Sequence, residues 1–148
     1  MFNAKPNLVG DYLHIYSKDP AVDQKSSDYY HEQWCKTGKD SFLPLVNGAT
    51  PVKFKLKHLT SREKKYAQDV GTREGQSSMS WWLVALALKG IDPYVVQGSE
   101  STEIDYLPDG WRLRVSDEVM DLLESYDGCG LFYELAVRVM QQSWPDPI

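Results

Sequence analysis

The stretch from Ser77 to Gly90, SSMSWWLVALALKG, limits how this chain can fold more than any other. Apart from Ser80, its middle is entirely apolar. A helix with apolar side chains on every face has no side for water, so other elements or a partner must cover it. The run is also far shorter than the roughly 20 residues that span a bilayer. We therefore predict a central buried helix over residues 77–89 and no membrane association.

Small residues mark both ends of this helix. Ser77 or Ser78 suits the N-cap position, and Gly90 suits the left-handed residue that follows a helix. Trp81 and Trp82 are adjacent, so their side chains point about 100° apart. One ring can enter the core while the other meets a different element or a partner. Both tryptophans are therefore candidate partner contacts as well as core residues.

The clearest strand pattern is Val52 to Lys57, where apolar residues alternate with Lys53, Lys55 and Lys57. This alternation places the three ammonium groups on one face and the apolar side chains on the other. A helix is predicted next, because Thr60 and Glu63 have the spacing of a capping box. That helix should run to about residue 70, with residues 71–76 as a flexible link to the central helix.

A β-hairpin is predicted farther along, with arms at 104–107 and 111–115 and a turn at 108–110. Gly110 supplies the positive φ that such a turn needs. We expect the apolar side chains of the second arm to cover the central helix and the basic ones to face water. The apolar residues are Trp111, Leu113 and Val115, and the basic ones are Arg112 and Arg114.

Two helices should complete the chain. Ser116 can cap the first, and the second should run from about Leu131 to Ser143. The predicted apolar face of the first comprises Val119, Leu122, Leu123 and Tyr126.

The N-terminal third is less regular. We expect a short strand near residues 9–16 and a short helix over 28–36. The predicted fold is therefore α+β and helix-dominated, a single domain over residues 1–148 with a small antiparallel sheet or hairpin. Residues 52–143 form its compact strand-helix-helix-hairpin-helix-helix core, and residues 1–51 its less regular segment.

Catalytic, cofactor and metal motifs are not evident in the sequence. His31 and Cys35 stand four residues apart on the predicted short helix, but a tetrahedral site needs two more ligands. Cys129 lies at a helix start, where a thiol pKa falls, yet flanking glycines there are typical of a tight connection. Both cysteines suggest a reducing compartment, although one disulfide stays open as an alternative. We predict no enzyme and no cofactor.

The basic strands are the remaining candidate surface. If the two strands are neighbours, Lys53, Lys55, Lys57, Arg112 and Arg114 would share one face and suggest phosphate contacts. The net charge of −5, from 16 basic and 21 acidic residues, opposes nucleic-acid binding. A solvated face is the leading interpretation, a protein partner the second and nucleic acid the third.

Several short motifs from residue 52 onward occur in a familiar order. They are Phe54-x-Leu56, Leu59-Thr60-x-x-Glu63, the apolar helix Trp82 to Gly90, Asp109-Gly110-Trp111 before Ser116, and Glu134-Leu135-Ala136. This layout resembles proteins encoded in bacteriophage tail modules, tail assembly chaperones in particular. It covers about two-thirds of the chain, without the first 50 residues.

The resemblance implies a non-enzymatic helper that keeps tail components soluble in the host cytoplasm before assembly. Its partners would be tape measure or tail tube proteins, with self-association left open. A minor head–tail or tail component retained in the virion is the first alternative. A nucleic-acid-binding accessory factor using the lysine strand is the second.

Overall fold

A computed structural model describes residues 11–23, 46, 51–92, 104 and 106–144. The predicted α+β class is confirmed by four α-helices and two small antiparallel sheets in these ranges. The elements are β1 (Asp11–Ile15), β2 (Lys53–Lys57), α1 (Ser61–Glu74), α2 (Gln76–Ala87), β3 (Leu88–Asp92), β4 (Tyr106–Asp109), β5 (Arg112–Val115), α3 (Asp117–Ser125), a 3-10 turn (Tyr126–Cys129) and α4 (Gly130–Ser143).

The short helix predicted over residues 28–36, with His31 and Cys35, lies outside the described residues.

The larger sheet has the order β1-β2-β3, with both pairs antiparallel. In the central strand β2, Phe54 and Leu56 are buried, while Lys55 between them is exposed. Lys55 lies opposite Leu13 of β1 and Gly90 of β3. The predicted alternation of β2 is confirmed, and it turns the apolar face of the sheet toward the helices.

The start of α1 confirms the predicted capping box. The Thr60 hydroxyl accepts from the Glu63 backbone N–H at 3.2 Å, and the Glu63 carboxylate accepts from the Thr60 backbone N–H at 2.9 Å. Lys57 Nζ, at the end of β2, lies 2.8 Å from the same carboxylate. Glu63 is buried, so this ion pair fixes the end of β2 against the first turn of α1.

The boundary between α1 and α2 differs from the prediction. Helix α1 continues to Glu74, so Gly75 alone separates the two helices where a flexible link over 71–76 was expected. Gly75 is also the N-cap of α2, in place of Ser77 or Ser78, and its φ of 102° is open to glycine without strain. One glycine can therefore serve both helix ends.

The end of α2 is a second correction. The helix spans Gln76–Ala87 instead of 77–89, and Leu88 passes directly into β3. Gly90 lies inside that strand opposite Lys55 and has no positive φ. Pairing with β2 satisfies backbone groups here, so a left-handed cap is not needed.

The prediction that this segment forms the buried centre is confirmed. From Leu83 to Leu88 every residue is buried. Helix α2 packs against α1, α4 and β5. The main hydrophobic cluster also contains Phe54, Leu56, Val115, Val119, Met120, Leu123, Leu135 and Val139.

Two predicted apolar faces are partly wrong. In the hairpin, Gly110 has the expected positive φ of 63°, but Trp111 and Leu113 are exposed and only Val115 is buried. Helix α3 is capped by Ser116 as predicted, but Leu122 in it and Tyr126 just after it are exposed. In the hairpin, the side chains of Arg112 and Arg114 occupy the inner face instead.

Candidate functional site

The hairpin packs its two arginines onto aromatic rings of the helices. The Arg112 guanidinium carbon lies 4.0 Å from the ring centre of Tyr66 and 5.0 Å from that of Trp82. Arg114 lies 5.5 Å from the ring centre of Trp81. We call this group the Trp–Arg layer; its members are Arg62, Tyr66, Trp81, Trp82, Trp111, Arg112 and Arg114.

The rings of the layer also contact one another edge to face. The ring centres of Trp81 and Trp82 are 5.1 Å apart, and those of Tyr66 and Trp82 are 5.0 Å apart. Both tryptophans are half-buried at the edge of the core, and both meet the hairpin. Such contacts add about 0.5–1.5 kcal/mol per pair beyond burial.

Two carboxylates hold the arginines in place. Asp109 lies 3.0 Å from Arg112 and 3.4 Å from Arg114, and Asp117 lies 2.8 Å from Arg114. Each arginine side chain is only 15% exposed. A planar guanidinium can stack on a ring and bind carboxylates at its edge at once, which explains why arginine faces inward here.

Trp111 forms the open end of the layer and is 41% exposed. The Arg62 guanidinium lies over its ring at 4.2 Å, and Arg112 lies 5.4 Å from the ring centre. Leu113, two residues further along the chain, is exposed as well and lines the same hollow as Trp111. Leu107 is also exposed, but it lies opposite Arg114 and so belongs to the other face of the hairpin. The layer thus presents an aromatic ring, flanked by two cations, next to one aliphatic side chain.

The predicted basic face is divided in the structure. Strand β2 belongs to the three-stranded sheet and β5 to the two-stranded one, so their cations do not share one sheet face. Lys57 is paired with Glu63, and Lys55 lies 3.4 Å from Asp11. Of the candidate contacts, Trp81, Trp82, Arg112 and Arg114 come together, whereas Lys53 and Lys55 lie apart from them around a separate hollow of about 550 Å³.

A second hollow, of about 310 Å³, lies between the start of α1 and the hairpin. We call it the cationic hollow; it is lined by Lys57, Thr60, Arg62, Glu63, Leu86, Lys89, Tyr106, Trp111, Arg112 and Leu113. Arg62 and Lys89 are not among the contact residues that the sequence predicts. The signal that was available for Arg62 is its spacing of four residues from Tyr66, which puts both on one face of α1.

A partly buried polar network joins β1 to α4. His14 Nε2 lies 2.6 Å from Glu134 Oε2, which also accepts from the Ser17 backbone N–H at 3.0 Å. The Ser17 hydroxyl donates to Glu134 Oε1. Nearby, the Tyr16 hydroxyl donates to Asp127. Because Ser17 donates to the carboxylate and His14 is bonded to that same carboxylate, this is not a serine–histidine nucleophile pair.

These contacts set the ionisation of Glu134. Burial by itself raises the pKa of this carboxyl, but the hydrogen bond and charge of His14 and the two hydrogen bonds from Ser17 lower it by more. The net shift of the Glu134 pKa is therefore downward, and the carboxylate form is favoured in the fold.

Other chemistry has little support within the described ranges. Cys129 has a free thiol there, at the left-handed residue that precedes α4. No group of three potential metal ligands occurs among the described residues. None of the helices in this part of the chain combines the length and apolar character needed to cross a membrane.

Comparisons with known protein families, with curated proteins and with solved structures give no match. The function of the chain is therefore inferred from its own geometry and from the resemblance in its sequence.

Proposed function

We propose that this protein is a non-enzymatic bacteriophage assembly protein that works by binding other proteins, as tail assembly chaperones do. Its binding surface is the open end of the Trp–Arg layer, formed by Trp111 and Leu113. Its partner is a tail or virion protein of the tape measure or tail tube class, met in the host cytoplasm. Retention in the virion as a minor structural component is the alternative outcome.

The exposed, oriented ring of Trp111 carries this proposal. Tryptophan and arginine are enriched among the few interface residues that supply most binding energy. Here the guanidinium groups of Arg62 and Arg112 lie 4.2 Å and 5.4 Å from the ring centre before any partner arrives. A side chain already held in place loses less conformational entropy on binding, so more of its contact energy remains for affinity.

Nucleic-acid binding has less support. A protein that follows a phosphate backbone commonly makes about 6–10 phosphate contacts. Lys57 and Arg112 are already paired with carboxylates, and the whole chain has a net charge of −5. The aromatic and aliphatic side chains at the open end suit a protein surface better.

The test is affinity capture from cells that produce the phage, using tagged wild-type protein and quantitative mass spectrometry. The variant Trp111→Ser/Leu113→Ser removes the exposed apolar groups. We expect this variant to capture at least about tenfold less tape measure or tail tube protein than the wild type does. Its circular dichroism should match that of the wild type, because both side chains are exposed. Leu122→Ser/Tyr133→Ser, which alters exposed apolar residues elsewhere, is the matched control.

Two results would contradict the proposal. One is a wild-type protein that is a monodisperse monomer and enriches no tail or virion protein. The other is equal capture by wild type and the Trp111→Ser/Leu113→Ser variant, which would exclude this surface. Mass spectrometry of purified virions separates the two forms of the proposal: high copy number supports a structural component, and absence supports a chaperone.

A further inference from the structure

The cationic hollow holds two positive charges that no carboxylate of the described residues neutralises. Arg62 and Lys89 are both exposed and line the hollow. Within the described residues, the charged group of Arg62 contacts the Trp111 ring, and that of Lys89 lies 5.8 Å from the Tyr106 ring centre. Neither ring carries a net negative charge, so these contacts leave both positive charges unneutralised.

The other two cations of the hollow are already engaged. Lys57 is paired with Glu63, and Arg112 with Asp109. Arg112 Nε is buried and has no hydrogen-bond partner in the described part of the chain. The hollow therefore has an excess of positive charge on a protein whose net charge is −5. Lys89 also lines the larger hollow, where Lys55 is paired with Asp11, so among the described residues Arg62 is the unpaired cation that belongs to the cationic hollow alone.

Apolar side chains also line the cationic hollow. Trp111 and Leu113 of the hairpin stand exposed there, and the buried Leu86 of α2 belongs to the lining. A volume of about 310 Å³ is near the lower end of the 300–1,000 Å³ of ligand pockets, which is room for one or two side chains. A ligand that fits must carry an anion and an apolar group close together.

We infer that the cationic hollow binds an acidic segment of a partner polypeptide. A carboxylate of that segment faces Arg62 and Lys89, and a neighbouring apolar side chain contacts Trp111 and Leu113. Arginine favours such contacts because its guanidinium binds a carboxylate through two parallel hydrogen bonds. This inference rests on the proposed function, since it specifies the chemistry of the partner that the Trp–Arg layer receives.

The test measures fluorescence anisotropy of a labelled peptide in which Glu and Leu alternate with Gly and Ser. A peptide with Gln in place of Glu, and oligothymidylate of equal length, are the competing probes. At low salt we expect Arg62→Gln/Lys89→Gln to weaken binding of the Glu peptide about tenfold. The matched variant Lys65→Gln/Arg73→Gln also removes one lysine and one arginine charge, but from exposed positions of α1 outside the hollow. Its affinity for the Glu peptide should be within about twofold of that of the wild type.

Each outcome bears on the inference. The inference is supported if the wild type binds the Glu peptide and the binding weakens both with added salt and in Arg62→Gln/Lys89→Gln. No binding at ~1 mM peptide, equal binding of the Gln peptide, or equal losses in both variants overturns it. Tighter binding of oligothymidylate that depends on Arg62 and Lys89 assigns the hollow to nucleic acid instead. If Arg62→Gln/Lys89→Gln captures tail proteins as well as the wild type does, the proposed function stands. The inference that the partner contributes an acidic segment is then wrong.

Discussion

Replacing Glu134 with Gln should destabilise the fold by about 2–4 kcal/mol at neutral pH. The carboxylate accepts hydrogen bonds from His14, from the Ser17 backbone N–H and from the Ser17 hydroxyl. A hydrogen bond to a charged group contributes about 1.5–3 kcal/mol net. Gln keeps the size and one acceptor but presents an amide donor where a second acceptor is needed. Since the Glu134 side chain is 20% exposed, water compensates in part, and the decrease in the free energy of unfolding is smaller than the sum of the three hydrogen bonds.

The same replacement should change how stability depends on pH. The pKa of Glu134 is lower in the fold than its ordinary value of 4.5, so the folded state binds fewer protons than the unfolded state. The associated stabilisation is present above that value and is lost as pH falls through the folded-state pKa. Gln cannot titrate, so the difference between wild type and variant should shrink below about pH 4.5.

The assay is urea unfolding followed by tryptophan fluorescence, at about pH 7 and about pH 3.5. A thermal scan should show a lowering of the midpoint by roughly 4–16 °C at the higher pH. Glu74→Gln, at the exposed end of α1, is the control and should stay within about 0.5 kcal/mol of wild type. A Glu134→Gln effect as small as that of the control, or one equal at both pH values, would refute this account of the network.

Substitutions at four further positions test other parts of the fold by the same unfolding measurement. Thr60→Ala removes the hydroxyl that caps α1 and should lower the free energy of unfolding by about 1 kcal/mol. Thr60→Ser keeps a capping hydroxyl and should lose much less. Gly130→Ala would place a Cβ 2.6 Å from the Tyr16 hydroxyl, so we expect a loss of about 1–3 kcal/mol; an unchanged midpoint would contradict that contact. Trp82→Ala should cost about 2–4 kcal/mol and Trp111→Ala less than about 1 kcal/mol, so equal losses would contradict the different burial of the two rings.

Local patterns in the sequence predicted local structure well. The spacing of Thr60 and Glu63 specifies hydrogen bonds between near neighbours, and both bonds of the capping box form. Gly110 tolerates a positive φ that a tight turn needs, and the hairpin turns there. In each case the deciding interaction lies within a few residues.

The inner face of the hairpin could not be predicted in the same way. Alternation alone treats Arg112 and Arg114 as polar and directs them to water. Their placement depends on the rings of Trp81 and Trp82 and on the carboxylate of Asp109, which only the tertiary fold brings together. A pattern read along one strand contains no information about that aromatic surface.

The remaining misses have similar causes. Gly90 fits a helix cap by its own preference, but the pairing of β3 with β2 overrides that preference. The cationic hollow combines Arg62 and Lys89, which are on different elements and have no shared sequence pattern. Tertiary contacts decided both features.

The bond between His14 and Glu134 also has a consequence for the order of folding during synthesis. The two residues are 120 positions apart, so β1 leaves the ribosome long before its partner in α4 exists. At about 5–20 residues per second, the strand waits roughly 6–24 s for that carboxylate. During this interval β1 can already pair with β2, because residues 53–57 are made well before α4. The hydrogen bond between His14 and Glu134 therefore fastens an already paired strand to the last described helix.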